Sequence, residues 1–236
     1  MSRVGLIQSN YIPWKGYFDI IHDVDVFVFH DDVQYTKGDW RNRNRIKTDG
    51  GERWLTIPVG VCERRLMCDV PLPSGSWAQD HWRRLHAAYH RAPYFASYRE
   101  YVEALFRERQ WRTLSEFNQA FTIGIARDLL GITTEFADSR AFGLTGVKGA
   151  RVIELLHKAG ADVYVSGPAA QAYLTDEQLG EAGIGVEWKD YSGYPQYEQM
   201  HPPFAHAVSI LDLIFHTGPR AGFYIWGWRA AAEAAA

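Results

Sequence analysis

The chain has 236 residues, room for one large domain or two small ones, and 47% of them are hydrophobic, enough for a full core. Its formal net charge of −3 gives no global basic field to recruit nucleic acid, and no run approaches the ~18 apolar residues that would span a bilayer. Nine Trp and thirteen Tyr are a rich supply of rings, which either thicken a core or line a site for a flat or sugar-like ligand.

In chain order, Val4 to Ile7 reads as a short buried strand that opens into the polar turn Gln8-Ser9-Asn10-Tyr11-Ile12-Pro13-Trp14. Lys15 to His22 reads as a helix, and Val24 to Phe29 as a second strand, continuously apolar as a parallel strand buried on both faces should be. Strand, helix, strand predicts that the two polar exits lie side by side, where open α/β sheets bind ligands. Gln8, Tyr11 and Trp14 are candidates on the first exit.

The second exit, Asp31 to Lys47, is the richest stretch. Lys37, Arg41, Arg43 and Lys47 supply cations, while Gln34 and Asn42 offer donor and acceptor together. Tyr35 and Trp40 are its large rings. Together these residues suit a loop that gathers a small anion. The alternation of Arg41, Arg43 and Arg45 would also suit the outer side of a solvated strand, but Trp40, Tyr35 and the asparagines among them are poor choices for mere solubility. Asp31 and Asp32 are candidates for proton chemistry on an amine, but an extended backbone turns adjacent side chains to opposite faces, so they form no shared-proton pair.

Gly50-Gly51 marks a turn and Trp54 to Val59 a third strand. After a linker at Pro71 to Gly75 the composition turns helical, from Ser76 as a cap through Tyr89, then beyond Pro93, then from about Leu114 to Gly131. Strand and helix then alternate: Thr134 to Ala137, Val147 to Lys158, Val163 to Val165, Asp176 to Ala182, Val186 to Trp188. Such alternation predicts parallel βαβ units. The expected fold is α/β, a Rossmann-like, mostly parallel sheet flanked by helices. One domain over residues 1–230 is expected, with a helical insertion at about 76–131, and the Ala-rich tail 231–236 stands apart.

Ser166-Gly167-Pro168 looks like a strand-to-helix elbow without the flanks of a nucleophile elbow, so Ser166 is a candidate nucleophile or ligand-bonding hydroxyl and Gly167 its neighbour. Asp212 sits among Leu211, Leu213, Ile214 and Phe215 and needs a partner. His81, His86 and His90 come nearest to a metal-ligand spacing without reaching it, and no metal is expected. Cys62 and Cys68 match no redox or zinc pattern, and no secretory signal is visible, so the cytoplasm with two unpaired thiols is expected.

Five blocks, Ile7 to Ile21, Asp25 to Thr48, Trp54 to Val59, Tyr164 to Leu174 and Val208 to Gly218, together resemble the WbqC-like family. The chain departs from the family pattern at His30 and at His216, where an Asn is usual. The resemblance implies a place among surface-polysaccharide and natural-product biosynthesis proteins. It points to a transferase that moves an acyl or aminoacyl group onto an amino-sugar of O-antigen or capsule. The substrate would be a nucleotide-linked amino-sugar and the donor an acyl-carrier or CoA thioester, with no other cofactor required. An acyl carrier protein and a second copy of the chain are the partners this reading admits. A non-catalytic nucleotide-sugar-binding protein and a nucleotidyl- or glycosyl-transfer enzyme remain alternatives.

Overall fold

A computed structural model describes residues 1–62, 64–107 and 110–233; the last three residues of the Ala-rich tail lie outside them. Four-to-five-residue apolar runs make the centre of the sheet: β1 (Arg3–Ile7), β2 (Val26–Phe29) and, later, β6 (Val163–Ser166). With β5 (Glu135–Asp138) and β7 (Gly185–Trp188) they form a five-stranded parallel sheet in the order β5-β2-β1-β6-β7. The interior strands are apolar on both faces, whereas β5 and β7 carry Glu135, Asp138 and Glu187, as solvent-facing edges tolerate.

Period-two alternation sorts the strand residues onto two faces. Val4, Leu6, Val28 and Tyr164 pack against Val152, Leu155 and Leu156 of α5 (Lys148–Lys158) and Leu179 of α6 (Asp176–Glu181). Phe27, Phe29 and Val165 turn the other way, toward Phe18, Ile20 and Ile21 of α1 (Lys15–His22) and the larger cluster beyond it. Each fully buried Phe or Ile there contributes ~1.5–3 kcal/mol relative to exposure.

Between β2 and β5 the chain leaves the sheet. It forms an antiparallel hairpin of β3 (Arg43–Thr48) and β4 (Gly51–Thr56), then α2 (Trp77–Tyr89), α3 (Phe95–Arg107) and α4 (Leu114–Gly124). A capping box starts α4: Thr113 Oγ1 accepts from the Glu116 backbone N–H at 3.2 Å, and the Glu116 carboxylate accepts from that of Thr113. Near the C-terminus come α7 (Ile210–Thr217) and α8 (Trp228–Glu233).

Three sequence expectations are corrected. The run Asp31 to Lys47 is not all loop, because its last part is β3. The strand expected over Trp54 to Val59 is β4, Gly51–Thr56, and it pairs with β3 outside the main sheet. Ser76 precedes α2 but its side chain makes no cap bond. Cys62 and Cys68 are both free and buried, and burial raises the Cys68 thiol to about 11.

Candidate functional site

The sheet grows from β1 through β2 to β5 on one side, then restarts at β6 on the other side of β1. Chain segments leaving β1 and β6 therefore diverge, and the crevice between them is where such sheets hold ligands. A cavity of about 920 Å³ opens there, with Leu6, Ile7 and Val152 at its base. The exit of β1 supplies Gln8, Asn10 and Trp14, and that of β6 supplies Ser166, Gly167 and Pro168. The exit of β2 adds His30, Trp40 and Arg41, and the first turn of α5 adds Lys148 and Arg151.

The β1–α1 loop is held under strain. Ile12, fully buried and β-branched, has φ = 36°, a left-handed conformation costing ~1–3 kcal/mol. The Asn44 amide of β3 clamps it, donating to Ile12 O at 2.9 Å and Tyr11 O at 3.2 Å. So held, the loop presents Gln8 and Asn10 to Arg41, whose Nε donates to Gln8 Oε1 at 2.9 Å and whose Nη1 donates to Asn10 Oδ1. Gly16 makes room for the Trp14 indole, since a Cβ there would lie 2.3 Å from its ring. The indole meets Tyr191 edge-on at 5.1 Å, and Gly167 in turn admits the Tyr191 hydroxyl, which a Cβ would approach to 2.7 Å.

Asp31 and Asp32 diverge, as expected of neighbours on an extended chain. Asp31 is fully buried beneath the site, accepting from Ser9 N–H at 2.7 Å, Ser115 Oγ at 2.5 Å and Gln119 Nε2 at 2.9 Å. Asp32 accepts from Ser139 Oγ at 2.5 Å and forms an ion pair with Arg151. His30 Nε2 lies 3.9 Å from Asp32 Oδ1. Burial lowers the His30 pKa below 6.5, with Asp32 opposing, so the imidazole facing the cavity is neutral at pH 7.

Of the residues singled out from sequence, Gln8, Trp14, Trp40, Arg41, Ser166 and Gly167 come together around the cavity. Ser166 is buried at the end of β6, on the same strand face as Tyr164. The others lie elsewhere. Tyr11 is in the core with its hydroxyl 2.6 Å from His81 Nδ1, and Tyr35 is also core. Asn42 donates to Ile57 O at 2.8 Å, and buried Lys47 donates to Pro203 O. Gln34 and Lys37 are exposed. Arg43 lies over the Trp54 ring on the hairpin, 4.4 Å from its centroid. Asp212 is buried on α7, where it accepts from Tyr197 Oη at 2.5 Å and Gln199 Nε2 at 2.8 Å.

Lining residues that sequence reasoning passed over are Asn10, His30, Lys148, Arg151, Tyr173 and Tyr191. A usable signal existed for Lys148 and Arg151. A helix following a parallel strand starts at the sheet's carboxyl edge, so their place near the site follows from the alternation alone. Tyr173 and Tyr191 sit in irregular chain and carry no such signal.

A doubly wound parallel sheet with a cation- and ring-lined cavity at its switch point places the protein in the Rossmann-like α/β class. More narrowly, the chain belongs to the WbqC-like protein family, whose profile matches residues 8–223. It is similar to a Mycobacterium tuberculosis (strain ATCC 25618 / H37Rv) protein named "Uncharacterized protein Rv1507c", with 43% identity over 227 residues, covering 95% of this chain and 98% of that protein. No solved structure matches it. Among the described residues no helix is long and apolar enough to cross a membrane, and no three His, Cys, Asp or Glu side chains gather as metal ligands.

Proposed function

We propose that the switch-point cavity binds a nucleotide-linked amino-sugar, or a similar amine with an anionic tail, and that the protein is an amide-forming transferase. It moves an acyl or aminoacyl group onto the amine in O-antigen, capsule or related biosynthesis. The observation that carries this reading is that Arg41, Lys148 and Arg151 share one cavity with Trp14, Trp40 and Tyr191. Cations suit phosphate, and rings suit a base or sugar face. The amine nitrogen attacks the carbonyl of a carrier or CoA thioester; the C–N bond forms, the C–S bond breaks, and the amine proton passes by way of a base to the thiolate. The proton acceptor sought in Asp31 or Asp32 falls better to His30, because Asp31 is saturated with donors and Asp32 is paired with Arg151.

That same saturation favours one second reading, a nucleotide-sugar-binding protein without turnover. Incubation with UDP- or dTDP-linked amino-sugars and acetyl-CoA, followed by mass spectrometry and calorimetry, separates the two. Binding with amide formation supports the transferase. Binding without product from acetyl-CoA or an acyl-carrier thioester supports the carrier. Absence of binding removes both. Magnesium-dependent binding would instead favour nucleotidyl or glycosyl transfer, although Asp31 and Asp32 turn to separate partners.

A further inference from the structure

Trp40 does two things at once. It lines the cavity, yet 37% of it remains exposed, and its ring lies 5.5 Å from that of Trp54, itself 39% exposed. Large exposed apolar side chains in contact with each other are uncommon and mark interaction sites more often than chance. The hairpin builds this platform. Register pairs Arg45 with Trp54, so Arg43, Arg45 and Trp54 share the outward face while Asn44 and Ile46 point in. Arg43 and Arg45 stack on Trp54 at 4.4 Å and 5.1 Å from its centroid. Arg84 Nη2 donates to Trp54 O at 2.8 Å and fixes the strand beneath. Arg45 is neutralised by Glu52 at 2.6 Å, but among the described residues Arg43 has no carboxylate partner within 4.0 Å.

We infer that Trp40 and Trp54, with Arg43, form an outer subsite for the base of a nucleoside diphosphate, whose sugar end occupies the cavity. This rests on the reading of the cavity as a nucleotide-sugar site and adds the direction in which the ligand lies. Continuity through Trp40 ties platform to cavity. A guanidinium without a carboxylate partner, beside two indoles in tilted contact, fits a ligand that is both planar and anionic; a neutral sugar supplies only a face, and inorganic phosphate only charge. The diphosphate then bridges from Arg43 outside toward Arg41 at the cavity wall.

The test is calorimetry with UDP, uridine and inorganic pyrophosphate on the full chain and on Trp54→Ala and Arg43→Gln, with saturation-transfer NMR on the unaltered protein. Trp54 lies outside the cavity lining, so its loss should weaken UDP about tenfold or more and leave pyrophosphate unchanged. Arg43→Gln should weaken UDP and spare uridine, and indole protons should transfer saturation to the uracil H5 and H6. Should Trp54→Ala not fold, the NMR result decides. If UDP binds within twofold in Trp54→Ala and no transfer reaches the base, the platform is not a base subsite, while the cavity reading stands provided the nucleotide-linked amino-sugar still binds. If neither UDP nor the amino-sugar nucleotide binds, both fall.

Discussion

Arg41 spans the exits of two neighbouring parallel strands: its Nε, carried on the segment after β2, donates to Oε1 of Gln8, the first residue after β1, at 2.9 Å. Its Nη1 reaches Asn10 on the same loop. One planar cation thus orders two amides and faces the cavity. Arg41→Ala should weaken binding of a nucleotide-linked amino-sugar by ~1.5–3 kcal/mol, the scale of a hydrogen bond to a charged group. Arg41→Lys should recover little, since an ammonium cannot serve both amides in one plane. Calorimetry reads both, and unchanged affinity in Arg41→Ala would remove Arg41 from the anion site.

The paired acids should separate into a structural and a functional effect. Asp31→Ala strands the Ser9 N–H and the Ser115 hydroxyl in a fully buried place, while the Gln119 amide keeps Asp138 as an acceptor. A loss of ~3 kcal/mol or more in urea unfolding is expected from those orphaned donors. Asp32 is partly solvated, and its partner Arg151 lines the cavity. Asp32→Asn should therefore cost less stability and act instead on turnover or affinity by freeing Arg151. Equal stability losses from the two would contradict the assignment.

Asn44 offers a third test, at a distance from any ligand. Its amide is the side-chain donor on Ile12 O and Tyr11 O, and Ile12 is the strained residue. Asn44→Ala should destabilise the chain by ~1–3 kcal/mol and accelerate amide hydrogen exchange across the β1–α1 loop more than in β1 itself. Exchange that changes equally everywhere would mean that the loop is not clamped locally.

The same asparagine shows where sequence reading succeeds and fails. The parallel strands were legible because burial on both faces demands unbroken apolar runs such as Val26-Phe27-Val28-Phe29. The hairpin was legible only in its turn, Gly50-Gly51, and in a strand through Trp54. β3 hides its inward face behind a polar residue, because Asn44 is needed there to bind carbonyls, so Arg43-Asn44-Arg45 reads as loop. Only the alternation of arginines betrayed the strand. The meeting of the first two exits was equally legible, from strand-helix-strand order. That Asp31 would sink beneath them was not, since its donors Ser115 and Gln119 come from α4, 84 and 88 residues away.

Lys15 carries the last prediction. It begins α1, is almost wholly buried, and its Nζ stands 4.7 Å from the Tyr194 ring centroid and 3.4 Å from His206 Nδ1. Burial lowers its pKa from 10.5 to about 8, against the pull of Asp212 and Asp19. Between that pH and about 10.4 the folded chain has shed this proton while the unfolded chain still holds it. The unfolded state then binds more protons, so the Lys15 contribution to unfolding free energy rises with pH across that window; below it, both states are charged and the contribution is flat. Lys15→Met keeps much of the side chain's length without its charge. Unfolding free energies measured in urea at several pH values should give a wild-type-minus-variant difference that climbs from pH 8 to 10. Because other lysines and tyrosines titrate in the same range in both proteins, only that difference isolates Lys15. A flat difference would mean that the ammonium is solvated or firmly paired in the folded state.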